Sequence, residues 1–319
     1  MLTNTVVMTT YNGERYLTEQ LESLMAQEML PDEIIVADDC STDGSFAMVR
    51  TFAETHPEVE WNVYRNEYNL GWKLNFKEAI AKARGEFIYL CDQDDIWTPN
   101  HIADLYRAMV AHPEADVMTS HAEPFYEEGA YVPVGAETDN PGSGTVTLVP
   151  TDYRYILILN PGCTYCVRRS FTESLRPFWP DGAEHDAFLY SAACIERALG
   201  HLDATTLRFR RHANNASDMR TKNRDDSLEL LYGYLEKNQA IREWLTSLDE
   251  KEIAVLKDRG AFDLLDATDK FVDLRISALK KPSLVSLARL IPCARRYPTR
   301  RSMLGDFACA LFPNKDWHR

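Results

Sequence analysis

The residues with the clearest chemical potential are Asp92-Gln93-Asp94-Asp95, between the strand-like run Glu86-Phe-Ile-Tyr-Leu-Cys91 and Ile96-Trp97. Carboxylates two positions apart, on an extended stretch that turns into a loop, can converge on one hard cation. Mg2+ and Mn2+ prefer such oxygen ligands and share them with substrate phosphates. A solvated turn in an acidic chain is the competing reading, but placement after a buried strand favours the metal. Polar residues gather at the other strand ends too: Thr9-Thr10-Tyr11-Asn12, Asp38-Asp39-Cys40-Ser41, and Asn66 to Lys73. Ligands of α/β sheets bind beyond the carboxyl ends of the strands, so these segments imply a cleft for a metal-bound polar ligand. Only Asn12-Gly13-Glu14 follows the first strand, which is neither a dinucleotide fingerprint nor a P-loop. Hydride transfer and ATP cleavage lose weight accordingly. Cys163-Thr-Tyr-Cys166 has redox spacing, but no second pair completes a zinc site, and ordinary thiols are expected.

The elements that must position these residues follow from the hydrophobic pattern. Buried strands are expected at 5–9, 33–37, 59–64, 86–91 and 115–120, and helices at 14–27, from Asp43 to about 54, at 73–83 and at 99–111. Strands separated by helices of this length imply a mostly parallel sheet with helices on both faces. Residues 122–149, rich in Gly, Pro and Glu, read as a long functional loop or hairpin insertion. The pattern then predicts helix at 152–159, strand at 163–168, helix at 186–199, and strand or loop at 201–210. Beyond Arg224 it turns helical, with Leu228, Leu231, Leu235 and Trp244 on one face. The expected division is 1–224 as an α/β domain and 225–319 as a helical C-terminal extension.

A chain of 319 residues, 45% hydrophobic and 26% charged, has the composition of a soluble globular protein. The formal net charge of −14 argues against general nucleic-acid binding, since nothing offsets phosphate repulsion. The N-terminus lacks a positive n-region and a cleavage site. No apolar run approaches the roughly 20 residues that span a bilayer. With seven scattered cysteines, the expected compartment is the reducing cytoplasm. Charge is uneven: residues 1–275 carry a net −21 and residues 276–319 a net +7, with no acid between Ile276 and Gly305.

Together, Val7-Met-Thr-Thr-Tyr-Asn-Gly13, Ile35-Val-Ala-Asp-Asp-Cys-Ser-Thr-Asp-Gly44, Asn69-Leu-Gly71 and Leu90-Cys-Asp-Gln-Asp-Asp-Ile-Trp97 resemble, in order and spacing, the inverting glycosyltransferases of family 2. The Cys-Asp-Gln-Asp-Asp-Ile-Trp form is similar to the rhamnosyltransferase-like subgroup, and the resemblance covers roughly residues 5–215. It implies a GT-A (Rossmann-like) fold, with a mixed, mostly parallel sheet flanked by helices. By position, Thr10, Tyr11 and Asn12 match the first nucleotide-binding loop. Asp39 matches the carboxylate that accepts a pyrimidine N3–H, with a plain acid at a helix start as the alternative. Asn69 and Lys73 match the stretch lining the donor, Lys73 equally suiting a solvated helix. Asp92 and Asp94 match the DXD positions, Asp94 being the direct metal ligand. Cys40 stands where the family commonly has Gly.

Asp186, in Gly182-Ala-Glu-His-Asp-Ala-Phe-Leu-Tyr190, matches the segment holding the catalytic base; Glu184 is its competitor, and a helix cap the alternative role. Arg210-Arg-His212-Ala-Asn-Asn215 resembles a family Tyr-Arg-x-His-x-x-Asn segment, with Phe209 in place of the tyrosine. It suggests His212 for the metal or diphosphate and Arg210 for the leaving group. Cys163, in Pro161-Gly-Cys163, is expected to line the acceptor pocket. The implied activity is metal-dependent, inverting transfer of a sugar, with dTDP-rhamnose the expected donor, to a hydroxyl of a cell-surface glycan or lipid-linked acceptor. The cofactor is Mg2+ or Mn2+. A catalytically silent nucleotide-sugar-binding protein on the same fold is the alternative, and a nucleotidyltransferase would need a Gly-rich basic first loop that Thr10-Tyr-Asn-Gly-Glu14 does not supply. The basic, apolar stretch 276–301 is expected to lie at the inner face of the cell membrane, with packing on the protein or a homodimer contact as the competing reading.

Overall fold

The computed structural model of the protein describes residues 3–128, 142–212, 223–297 and 300–312. Asn215 and the middle of the 122–149 segment lie outside the described residues. The chain divides into two compact units. One holds Met1–Pro150, Ile158–Pro177 and Glu184–Asn215; the other holds Thr151–Leu157, Phe178–Ala183 and Ala216–Arg319.

The first unit alternates strand and helix: β1 (Asn4–Thr10), α1 (Glu14–Met25), β2 (Glu33–Asp38), α2 (Ser45–Thr55), β3 (Glu60–Arg65), α3 (Trp72–Ile80), β4 (Phe87–Cys91), β5 (Ile96–Trp97), α4 (His101–Ala111) and β6 (Val117–Tyr126). It continues with β7 (Val146–Leu148), β8 (Cys166–Arg168), α5 (Arg169–Leu175), α6 (His185–Glu196) and β9 (Leu199–Arg211). Among the described residues these strands form one nine-stranded sheet, ordered β3-β2-β1-β4-β8-β6-β9-β5, with β7 pairing β9. The strands β3, β2, β1 and β4 are mutually parallel, as is the long β6/β9 pair; β8, β5 and β7 add short antiparallel pairings. The mixed, mostly parallel sheet expected from the sequence is therefore present.

Its central strands are apolar at consecutive positions because both faces are covered. Val6, Met8, Ile34 and Val36 pack with Leu17, Leu21 and Val49 of α1 and α2. Val7, Ile35 and Ile88 alternate to the opposite face, where α3 lies against β1 and β2.

Several expectations are corrected. Residues 152–159 hold only a 3-10 turn, Tyr153–Ile156. The predicted 163–168 strand opens on another such turn, Gly162–Thr164, so β8 has three residues. The helix at 186–199 stops at Glu196 because Arg197 takes the left-handed conformation, φ 68°. Leu199 consequently begins β9.

The second unit carries α7 (Arg224–Ser247), α8 (Glu250–Asp258), α9 (Ala261–Lys280), α10 (Leu284–Ala288) and α11 (Arg300–Leu311). Asn223 and Asp249 close capping boxes at the starts of α7 and α8. Gly260, φ 75°, makes the left-handed turn into α9. The core here is Leu231, Val272, Ile276, Leu279, Leu287, Leu290, Cys309 and Ala310. Among the described residues no helix is long and apolar enough to cross a membrane.

Candidate active site

The carboxyl ends of β1, β2 and β4 bring three predicted segments into contact. Thr10 is buried and donates through Oγ1 to Asp38 Oδ2 at 3.0 Å. Tyr11 projects outward, 48% exposed, while its backbone is held to the Asp92–Asp95 loop by Gln93, whose Oε1 accepts from Tyr11 N at 2.9 Å and whose Nε2 donates to Tyr11 O at 3.2 Å. Asn12, in the left-handed region, accepts from Thr42 N at 2.8 Å and so ties the first loop to the second.

Asp39 is buried and organises the third loop. Its Oδ1 accepts from Asn66 Nδ2 (2.8 Å) and Leu70 N (2.7 Å), and its Oδ2 from Gly71 N (2.9 Å). Asn69 returns the contact by donating to Asp39 O at 3.0 Å. Cys40 has φ 63°, so the backbone keeps a glycine-like turn despite the side chain; Sγ donates to Asn66 O at 3.0 Å. Cys40→Gly is expected to stabilise the protein by roughly 0.5–1 kcal/mol, the left-handed penalty less the unfolded-chain entropy of glycine. A higher urea midpoint would show it, and an unchanged or lower one would mean that the thiol contact outweighs the strain.

The acidic loop is crowded. Ligand atoms of Asp92, Asp95 and Cys163 lie within 4.8 Å of one another. Asp95 is fully buried: Oδ1 accepts from Arg210 N at 2.9 Å, and Oδ2 has no partner among the described residues. Burial, followed by the charges of Asp94 and Asp186, pushes the Asp92 carboxyl up to about 7. Burial likewise raises Asp95, reinforced by Asp92 and Asp94, and the Cys163 thiol is pushed up by burial and then by the Asp95 and Asp92 charges. Asp94 Oδ2 lies 2.8 Å from His212 Nε2, and the His212 ring stacks on Tyr16 at 4.7 Å. Crowded carboxylates, one with an orphaned oxygen, beside an imidazole nitrogen form a donor set that fits a divalent cation. The structure brings Asp94 to His212 and groups Asp92 with Asp95 and Cys163; among the described residues the ligand atoms of Asp94, Asp92 and His212 do not lie together within 4.8 Å of one another.

Arg210 braces this loop from behind. Its Nε donates to Asp94 O at 2.8 Å, and its guanidinium pairs with Glu127 at 3.3 Å and with Glu19, over the Tyr16 and Phe125 rings. Across the cleft, Glu184 occupies the cap position of α6 without a side-chain capping bond, and its carboxylate binds Lys73 Nζ at 2.7 Å. Asp186 stands in the first helical turn, with Oδ1 accepting from Ala187 N at 2.7 Å. The two candidate bases are thus in different states: Glu184 is matched to a lysine, whereas Asp186 lies near enough to Asp92 to raise its pKa.

Residues 5–174, more than half of the chain, match the profile described as glycosyl transferase family 2. The chain belongs to this family. Among curated relatives, the dTDP-rhamnosyl transferase RfbG of Shigella flexneri is 30% identical over 220 residues, 65% of this chain and 72% of that protein. An uncharacterized protein of Mycobacterium tuberculosis is 35% identical over 127 residues, 39% of this chain; the match spans only about a third of that relative's length, 36%. Among solved structures, S. aureus TarS 1-349 in complex with UDP-GlcNAc superposes with a TM-score of 0.60 at 17% identity, covering 97% of this chain and 90% of that one. That likeness is one of fold: the α/β unit of this family-2 chain has the GT-A architecture.

Three features of the family-2 site escaped the sequence reading. Asp95 was legible as part of the acidic run, but its burial was not. Glu19 and Glu127, which hold Arg210, come from α1 and the end of β6 and carry no local signal. The third is Gly162. A Cβ there would sit 2.8 Å from His185 Nε2 and 2.9 Å from Asp186 Cβ. His185 is buried and stacked on Phe76 at 3.9 Å, so it has little freedom to yield. Gly162→Ala is therefore expected to displace Asp186 and lower turnover about a hundredfold, with nucleotide binding retained, since misplacement by about 1 Å costs that much. Unchanged turnover in a steady-state assay would show that Asp186 needs no such precision.

Proposed function

We propose that this chain is a metal-dependent inverting glycosyltransferase, with residues 1–224 as the catalytic domain and 225–319 as its extension. It moves a sugar from a nucleoside-diphosphate donor to a hydroxyl of a cell-surface glycan or lipid-linked acceptor. The carrying observation is the asymmetry of the two carboxylates at α6: Glu184 is paired with Lys73, which leaves Asp186 as the base facing the acidic loop. Asp186 takes the proton of the acceptor hydroxyl as that oxygen attacks the anomeric carbon, and the single displacement inverts the configuration.

Tyr11, Asn12 and Thr10 shape the nucleotide loop. Asp39 Oδ2, with one bond from Gly71 N, has a lone pair for a pyrimidine N3–H. Asn69 and Lys73 line the donor. Asp94 with His212, and Asp92 beside them, would hold Mg2+ or Mn2+, which would neutralise the diphosphate leaving group, and Arg210 fixes the Asp94 loop through its bond to Asp94 O. The relationship to a dTDP-rhamnosyl transferase supports dTDP-rhamnose as the donor. A cytoplasmic protein is consistent with seven cysteines that form no disulfide, and its basic tail, 276–301, is assigned to the inner face of the membrane.

Binding and hydrolysis of UDP-, dTDP- and GDP-sugars with Mn2+, with Mg2+ and with EDTA test this reading. Metal-dependent turnover of dTDP-rhamnose is expected. Failure of every pyrimidine nucleotide to bind would overturn it, and binding without turnover of any donor or with any glycan acceptor would favour a silent nucleotide-sugar-binding protein.

A further inference from the structure

In the helical unit, α10 and the 3-10 turn after it, Ile291–Arg296, are anchored from one side only. Leu287 and Leu290 are buried with Val272, Ile276, Leu279 and Cys309. Neighbouring residues face water: Leu284 is 87% exposed, Val285 65% and Ile291 59%. Lys281, Arg289 and Arg295 interleave with them and are also exposed. Scattered apolar residues are ordinary on a protein surface. Three large ones along eight residues, in a stretch without a single acid, form a patch of a different kind. The patch is also stiff. Ser283 closes a capping box on α10, and Pro282 and Pro292 bracket the segment, so the apolar tips are displayed by fixed backbone.

We propose that α10 and the Ile291–Arg296 turn dock on an anionic bilayer surface. Leu284, Val285 and Ile291 enter the headgroup boundary, and Lys281, Arg289 and Arg295 meet lipid phosphates. The inference rests on the membrane contact assigned to 276–301 above and names its lipid-facing residues; it does not depend on the transfer chemistry. The expected stretch is narrowed by it, because Ile276, Leu279, Leu287, Leu290 and Tyr297 belong to the core.

Charge favours this occupant, since residues 1–275 carry a net −21 and would be repelled by an anionic surface that the +7 tail attracts. A second copy would satisfy the cations with its acidic body. However, three apolar tips cover far less than the roughly 1,200 Å2 of a stable interface. Interfacial binding needs only a few buried tips together with basic charge.

The test sediments the full chain with vesicles of phosphatidylglycerol and phosphatidylcholine in equal parts, and with phosphatidylcholine alone. Binding is expected to the first only and should weaken with added salt. Leu284→Glu combined with Val285→Glu should reduce it at least about tenfold, and Arg289→Gln about fivefold, the worth of one cation near such a surface. Val110→Glu, an exposed site in the other unit, should leave binding within about twofold and controls for added charge. Absence of wild-type binding, equal binding to both vesicles, or a Leu284→Glu/Val285→Glu protein that binds like wild type would each overturn the proposal. So would a Val110→Glu loss as large as the double variant's. Gel filtration of the same proteins covers the remaining occupant: a dimer that only the double variant dissociates, without vesicle binding, assigns the patch to self-association and overturns docking on lipid. None of these readouts involves donor turnover, so a failure here is separable from a failure of the glycosyltransferase reading.

Discussion

Asp186→Asn is expected to lower donor turnover about a thousandfold while the donor KM stays within about twofold. Removing a positioned general base typically costs 10²–10⁴ in rate, and Asn keeps the size and the hydrogen bond from Ala187 N, so the start of α6 should hold its geometry. The informative comparison is Glu184→Gln. Its carboxylate is matched to Lys73 at 2.7 Å, so taking up a proton would break that ion pair. Glu184→Gln should therefore cost about tenfold or less in turnover and act mainly through Lys73, raising the donor KM. Steady-state release of nucleoside diphosphate measures both. A thousandfold loss in Glu184→Gln with a mild effect in Asp186→Asn would reverse the assignment. Equal, mild effects in both would remove general-base catalysis from this end of the cleft.

How much of this was readable beforehand follows from which forces are local. The runs Val6-Val7-Met8, Ile34-Ile35-Val36 and Phe87 to Cys91 declare themselves because a strand covered on both faces is apolar at every position. The polar residues at their ends were legible for the same reason: a sheet of this type places them at one edge. What could not be read depends on partners far along the chain. Lys73 and Glu184 are 111 residues apart, and Arg210 and Glu19 are separated by 191. Nothing in either segment announces its counterpart. Short strands such as β5 and β8 exist only because β9, β4 and β6 offer hydrogen bonds to them. Arg197 ends α6 in a conformation for which an arginine gives no sequence cue. Cys40 is a further case. The motif left the backbone at this position open, and the tertiary contacts of Asp38, Asp39 and Ser41 hold a glycine-like turn with a side chain present.

Asp94→Asn and His212→Ala are each expected to lower kcat/KM about a thousandfold, and the double variant should be no more than about threefold worse than the poorer single. Stabilising a diphosphate leaving group through a bound cation is worth several kcal/mol, and each 1.36 kcal/mol is a factor of ten. His212 Nε2 donates to Asp94 Oδ2 at 2.8 Å, so a cation that displaced this proton would meet both atoms at once. Groups that act as one unit give strongly non-additive losses. A plain ion pair would behave differently: with both side chains mostly buried, losing one partner would lower the stability of the fold, and metal affinity would not change. Mn2+ titration followed by the loss of the free-ion EPR signal, in the presence of a pyrimidine nucleoside diphosphate, separates the cases without an assay of turnover. Both single variants should weaken Mn2+ binding at least about tenfold. Additive rate losses with unchanged Mn2+ binding would make His212 a positioning partner of Asp94 and leave Asp92 and Asp95, with its unpartnered oxygen, to hold the ion.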